Sequence, residues 1–403
     1  MKTILTNCTV IDCTGKPPMK DMTIIIEDDK ITELRPGTHR RAAGEGEVRV
    51  FDLEGGYVLP GLWDVHVHLF TPKPEDLPEG ESVIAWAIQG GRQMMDALRA
   101  GITGVRVAGD GDFMDIAWKR AFDAGVFVGP RMFVSGRALR ATGGHGCPVD
   151  VEVDGPDEMR REVRENLKHG ADWIKLMVTG RIGTAGETMY ESQLLLDEIE
   201  AATVVAHQKG KPVFVHAGGP AGIKTAIRGG VDCIEHGYWL DDEAIEMMVE
   251  KGLFYVPTLA VTQDEALVDK PGLPDFHVKK ARAGAKLHLE SFQKALKAGV
   301  RIACGSDSEP TGEFGLREIE HLAKAGMGEM GALVAATRTS AELCQVGDEL
   351  GTVEVGKLAD LIVLSANPLE DISNIRKLMR VFKGGKLVET NRPEGLADLW
   401  DCT

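Results

Sequence analysis

Six residues in this chain have the types and settings of a two-metal centre. The run Val58-Leu59-Pro60-Gly61-Leu62-Trp63-Asp64-Val65-His66-Val67-His68 closes on two histidines two residues apart. At strand spacing both imidazoles point to one side, where they can share one cation. Pro212-Val213-Phe214-Val215-His216 and Cys233-Ile234-Glu235-His236 each end in a further histidine, and Arg301-Ile302-Ala303-Cys304-Gly305-Ser306-Asp307 delivers an aspartate just past its apolar run. Trp173-Ile174-Lys175-Leu176-Met177-Val178 encloses a lone lysine.

An ammonium ion among apolar neighbours is costly, so Lys175 is expected to lose its proton or find a partner. Its neutral amine can take up carbon dioxide as a carbamate, an anion whose two oxygens can bridge two metals. With His66, His68 and Asp307 on one ion and His216 and His236 on the other, carboxylated Lys175 would join them. Two divalent cations would lower the pKa of a shared water and yield hydroxide near neutral pH. Asp307 could accept the proton of that water and pass it to a leaving nitrogen. Zinc is the default ion for such nitrogen and oxygen donors, with manganese, cobalt and iron as alternatives. Taken singly, a strand-end histidine is usually structural and a lysine in an apolar run often snorkels to solvent. The six together argue against that reading.

These residues need a scaffold that brings strand ends together. From about residue 59 to 350, strand-like and helix-like segments alternate, as a parallel (β/α) architecture requires. Candidate strands lie at 62–68, 104–107, 131–135, 172–178, 212–216, 231–235, 253–257 and 301–304, and apolar residues recur at helical spacing over 157–169, 193–209, 242–251 and 281–297. Eight such strands predict an α/β fold of the (β/α)8 TIM-barrel type, whose active site lies at the C-terminal strand ends, where the six residues fall. Strand-like pieces also occur at both chain ends: 3–11, 22–27, 31–34 and 48–53, then 361–364, 379–382 and 386–388.

The set resembles the amidohydrolase superfamily, in particular its binuclear members with a carboxylated lysine on the fourth barrel strand. Ile4 to Asp12, Asp52 to Gly61 and Gly351-Thr352-Val353-Glu354-Val355-Gly356-Lys357-Leu358-Ala359-Asp360 carry the likeness to both ends of the chain. Ser135-Gly136-Arg137-Ala138-Leu139, Thr142-Gly143-Gly144-His145-Gly146 and Val256-Pro257-Thr258-Leu259 are similar to the branch of Xaa-Pro and cationic-residue dipeptidases and N-acyl amino acid hydrolases, with imidazolonepropionase more distant. The resemblance implies that residues 1–58 and 351–403 combine into one small β-sandwich domain beside a barrel of 59–350. It also implies that His145 contacts substrate, at its carbonyl oxygen or a carboxylate, and acts in catalysis beside Asp307.

Tyr190 and Tyr238 are further candidates for the pocket, each with packing as the alternative. Arg181, in Thr179-Gly180-Arg181-Ile182-Gly183-Thr184, departs from the small residues expected there and could pair with a substrate carboxylate or with a nearby acid. His39, His169, His207, His277, His288 and His321 read as surface residues, Cys147 as a loop residue and Cys304 as a small strand residue.

With 62 acidic against 46 basic residues the formal net charge is −16, which argues against nucleic-acid or anionic-membrane partners. Seven cysteines without CxxC spacing fit a reducing compartment, and the N-terminus shows no apolar signal, so a cytoplasmic location is expected. No run is long enough to span a bilayer. Barrel hydrolases often form homo-oligomers, and that is expected here. The function expected is a metal-dependent hydrolase of peptide-like amide bonds, a dipeptidase or N-acyl amino acid hydrolase using a metal-bound hydroxide on a small-molecule substrate. The alternatives are a cyclic amidohydrolase or imidazolonepropionase-like enzyme, or a noncatalytic scaffold on the same fold.

Overall fold

Short apolar runs bounded by polar turns form eight parallel strands: Leu62–Val67, Ile102–Val107, Arg131–Phe133, Ile174–Met177, Val213–Ala217, Cys233–His236, Phe254–Val256 and Arg301–Ile302. The computed structural model describes residues 2–39, 48–69, 82–146 and 149–389, so Cys147 lies outside the described residues. Backbone hydrogen bonds from Asp172 and Trp173 to Val134 O join the third strand to the fourth. Val65 N to Cys304 O at 2.8 Å and Asp307 N to His66 O at 2.9 Å join the eighth to the first. These bonds close the ring of eight strands.

Both faces of these strands are buried. Trp63, Val65, Phe214, Cys233 and Val256 pack in one cluster with Trp173 and Ala303, while Val105, Leu176, Val213, Val215 and Ile234 pack in another with residues of the surrounding helices. Each fully buried Val, Leu or Phe contributes about 1.5–3 kcal/mol, which explains why the strands read as continuous apolar runs.

The helix Pro156–His169 buries Met159, Val163 and Asn166, one residue per turn on one face, and stops at Gly170 with φ 109. Asp241 caps Asp242–Lys251 by accepting from Ala244 N at 2.8 Å. The long helix Asp275–Ala298 starts six residues before the stretch expected from periodicity, so His277 falls in its first turn.

Both chain ends share one mixed sheet. Lys2–Val10 pairs with Met19–Glu27, Val48–Asp52 and Tyr57–Pro60, and Tyr57–Pro60 pairs in turn with Leu361–Leu364, followed by Leu378–Lys383 and Lys386–Val388. Ile24, Ile26, Leu361, Val363 and Phe382 join one core, so the sheet curls over on itself. Tyr57–Pro60 spans the 58/59 boundary expected from sequence. Among the described residues no helix is long and apolar enough to cross a membrane.

Candidate active site

The strand ends deliver the six residues to one cavity of about 450 Å³, which His66, His68, Lys175, His216, His236 and Asp307 all line. His66 sits where the pairing of the first two strands shifts register between Asp64 and Val67. His236 follows the inward-facing Glu235, so strand alternation alone would turn it away. Its backbone adopts φ 66 instead, and its ring lies 4.4 Å from that of His216 and 5.0 Å from that of His66. Asp307 likewise has φ 49. Non-glycine residues held in this region concentrate at functional sites.

The Asp307 carboxylate stands among the imidazoles. Its Oδ1 is 3.6 Å from His66 Nε2 and 3.4 Å from His68 Nε2, and its Oδ2 is 3.9 Å from His236 Nδ1. Donor atoms of His66, His236 and Asp307 all fall within 4.8 Å of one another. Burial opposes the charge on Asp307, but the neighbouring His66, His68 and Lys175 outweigh it and hold the carboxyl well below its usual range. Burial also pushes the proton off most of the bases: His66 falls to about 4, His216 to about 3 and Lys175 to about 8. In His68 burial acts the same way, but Asp307 prevails and raises it.

Lys175 is in register with Phe214, two residues deeper than His216, and its ammonium nitrogen is 5.0 Å from the Phe214 ring centroid. That nitrogen is fully buried and has no hydrogen-bond partner. A lysine so placed is destabilised as an ammonium ion, and a buried polar atom without a partner is rare in a native fold. Imidazoles, a carboxylate and a deprotonatable amine are a nitrogen and oxygen donor set suited to divalent metal.

The other candidates divide. His145 is buried in the loop after the third strand, its backbone N–H bonded to Gln193 Oε1 at 2.7 Å, its ring 4.2 Å from His216 and its Nδ1 without a partner. Tyr238 lines the cavity and stacks on His236 at 5.3 Å, and Arg181 lines the cavity too. Tyr190 does not line it, and packs its ring against Trp239 at 5.8 Å.

Residues 57–388 match the model of the Amidohydrolase family. The chain belongs to the amidohydrolase family. It is 33% identical to ochratoxinase of Aspergillus niger over 368 residues, covering 82% of this chain and 75% of the relative. Among solved structures it is similar to a Xaa-Pro dipeptidase with methionine bound in its active site, with TM-score 0.87 and 32% identity over 96% of this chain and 100% of the other. A prolidase complexed with N-methylphosphonate-L-proline gives TM-score 0.86 and 31% identity over the same shares. This amidohydrolase is thus a barrel enzyme acting on C–N bonds, which sets aside the noncatalytic scaffold.

Several residues around the amidohydrolase site escaped the sequence reading. Glu235 Oε2 is 2.6 Å from His66 Nδ1, and Glu235 Oε1 accepts from Arg106 Nη2 at 2.7 Å, with all three side chains buried. Arg106 also donates from Nε to Val65 O at 2.7 Å and lies 4.0 Å from the Phe214 ring centroid. Both charges stand inside apolar strands, the same signal that singled out Lys175. Asp64 accepts from Ser306 N and Oγ, tying the residue before Asp307 to the first strand.

Two histidines taken as surface residues are corrected. His288 is fully buried, pairing with Thr262 Oγ1 at 2.7 Å through Nδ1 and with the His236 carbonyl at 3.0 Å through Nε2. Its position on the inner face of a long helix was hidden by polar neighbours in sequence. His277 lines the cavity, because its helix begins earlier than the apolar periodicity suggested.

Proposed function

We propose that this amidohydrolase is a metal-dependent hydrolase of dipeptides or N-acyl amino acids. The observation that carries the reading is the meeting of His66, His68, His216, His236, Asp307 and the unpartnered Lys175 nitrogen in one cavity. His66, His68 and Asp307 would hold one divalent ion and His216 and His236 a second, with Lys175 as a carbamate between them and zinc as the default metal. Such ions supply acidification of water and polarisation of a carbonyl.

The remaining work falls to side chains. Asp307 faces imidazoles through both carboxylate oxygens, so it is suited to accept a proton from water in the cavity and return it to the leaving nitrogen. His145, whose Nδ1 has no partner, is available to hydrogen-bond the substrate carbonyl or carboxylate. Burial keeps its imidazole well below the usual histidine range, so it acts as a neutral group. Likeness to a Xaa-Pro dipeptidase supports an amide with a free acid close by, as in any dipeptide.

A panel of dipeptides, N-acyl amino acids and cyclic amides, assayed with metal content measured in parallel, tests this. Turnover of the first two classes, lost on chelation and restored by metal, is the expected result. Asp307→Asn should keep the fold and lower turnover about 10²- to 10⁴-fold. Hydrolysis confined to cyclic amides, or near-normal turnover in metal-replete Asp307→Asn, would overturn the substrate reading or the Asp307 role respectively.

A further inference from the structure

Besides the metal-binding residues, the cavity wall carries Arg181, Gly183 and His277. Arg181 Nε donates to Thr184 Oγ1 at 2.9 Å, and among the described residues no carboxylate pairs with its guanidinium. The Thr184 carbonyl in turn accepts from Lys280 Nζ at 2.5 Å, which ties the Arg181 loop to the helix that bears His277. Between the two side chains lies Gly183. A Cβ there would stand 3.4 Å from Arg181 Nε and 3.6 Å from His277 Nδ1, so the missing side chain leaves a cradle bounded by a cation and an imidazole. The backbone at Gly183 needs no left-handed conformation, so its glycine is explained by space and not by φ. Val261, Leu267 and Leu273 line the same cavity and present an apolar wall.

We infer that Arg181, Gly183 and His277 form an anion subsite that holds the free carboxylate of the substrate's leaving amino acid, with that amino acid's apolar side chain against Val261, Leu267 and Leu273. The subsite rests on the amide-hydrolase reading for the identity of its ligand. Its chemistry stands on its own geometry. A guanidinium with Nε already anchored keeps its two Nη groups for a carboxylate, and a wall without Cβ lets that carboxylate come close. The chain as a whole carries formal net charge −16, so a cationic recess inside the cavity would distinguish an anionic ligand from its neutral counterpart.

The test uses N-methanesulfonyl-L-leucine and its carboxamide, in which a sulfonamide replaces the scissile amide and resists hydrolysis. Binding of each to the full-length metal-loaded enzyme is measured by calorimetry. The wild type should bind the acid about tenfold or more tighter than the carboxamide. Arg181→Met should bring the two within about threefold by weakening only the acid. Gly183→Ala keeps both polar side chains and should weaken the acid several-fold by filling the cradle, which keeps the test decisive if Arg181→Met does not fold. Equal binding of acid and carboxamide by the wild type, failure to bind the acid, or an undiminished preference in these variants would overturn the subsite. Turnover of N-acetyl-L-leucine is read separately. Acid preference without turnover of any amide would remove the proposed function and leave the subsite, and turnover without acid preference would do the reverse.

Discussion

His66 Nδ1 lies 2.6 Å from Glu235 Oε2, so a histidine of the first barrel strand is oriented by a carboxylate of the sixth. Arg106 from the second strand completes the arrangement through Glu235 Oε1. Holding Nδ1 in this way leaves Nε2 facing Asp307, the direction a ligand nitrogen needs, and carboxylate-to-histidine contacts of this kind commonly tune metal sites. Burial alone would raise the Glu235 carboxyl, but Arg106 and the His66 hydrogen bond hold it down at about 2.

Glu235→Gln should therefore do two things. It removes the countercharge of a fully buried guanidinium, and unfolding in urea should show a loss of about 3–5 kcal/mol. It also relaxes His66, so metal retained through dialysis should fall. In a double-mutant cycle with Arg106→Met, the two losses should be markedly less than additive. Additive losses would mean that the pair is not coupled.

Lys175→Ala should abolish bound metal and turnover while leaving the far-ultraviolet circular dichroism of the barrel intact. Short carboxylates such as acetate or propionate should restore part of the activity by occupying the place of the lost carbamate. Removal of metal from the wild type should lower its melting temperature, because an ion bound only by the folded state stabilises it by mass action. A Lys175→Ala protein with full metal content would end the bridging role.

His288 offers a pH signature. Burial holds its imidazole down at about 4, against an unfolded value of about 6.5, despite the hydrogen bond to the His236 carbonyl. Below pH of about 6.5 the unfolded chain binds a proton that the folded chain does not, so stability falls as pH drops from there toward 4 and levels off below it. The contribution is on the order of 3 kcal/mol. His288→Gln should flatten this part of the stability profile, as read by urea midpoints from pH 4 to 7.5. An unchanged slope would assign it to other groups.

Tyr238 and Tyr190 should separate cleanly. Tyr238→Phe alters a side chain that lines the cavity and stacks on His236, and should lower kcat/KM by about tenfold, the loss of one hydrogen bond to substrate. Tyr190→Phe, in a ring packed on Trp239, should leave kcat/KM within about twofold. Equal effects would remove Tyr238 from the substrate pocket.

Much of this protein was legible before any contact was known. Apolar runs of strand length ending in histidine, and one enclosing Lys175, mark the barrel strands and their functional ends, because a polar group in a buried strand must be satisfied by something and periodicity is a local property. The same logic could have flagged Arg106 and Glu235, but which buried charge meets which is a matter of strand order around a closed ring, and Glu235 meets His66 across 169 residues of chain. His236 reaches the site although it follows inward-facing Glu235, because its backbone turns to φ 66, a conformation that no local pattern announces. His277 and His288 lie on one helix whose start and inward face depend on what packs against it, so tertiary structure alone brought one to the cavity wall and the other beneath His236. Sequence therefore determined the residue types and the strands that carry them, whereas the distances that make them a site came from closure of the barrel, where long-range packing sets positions that local pattern cannot.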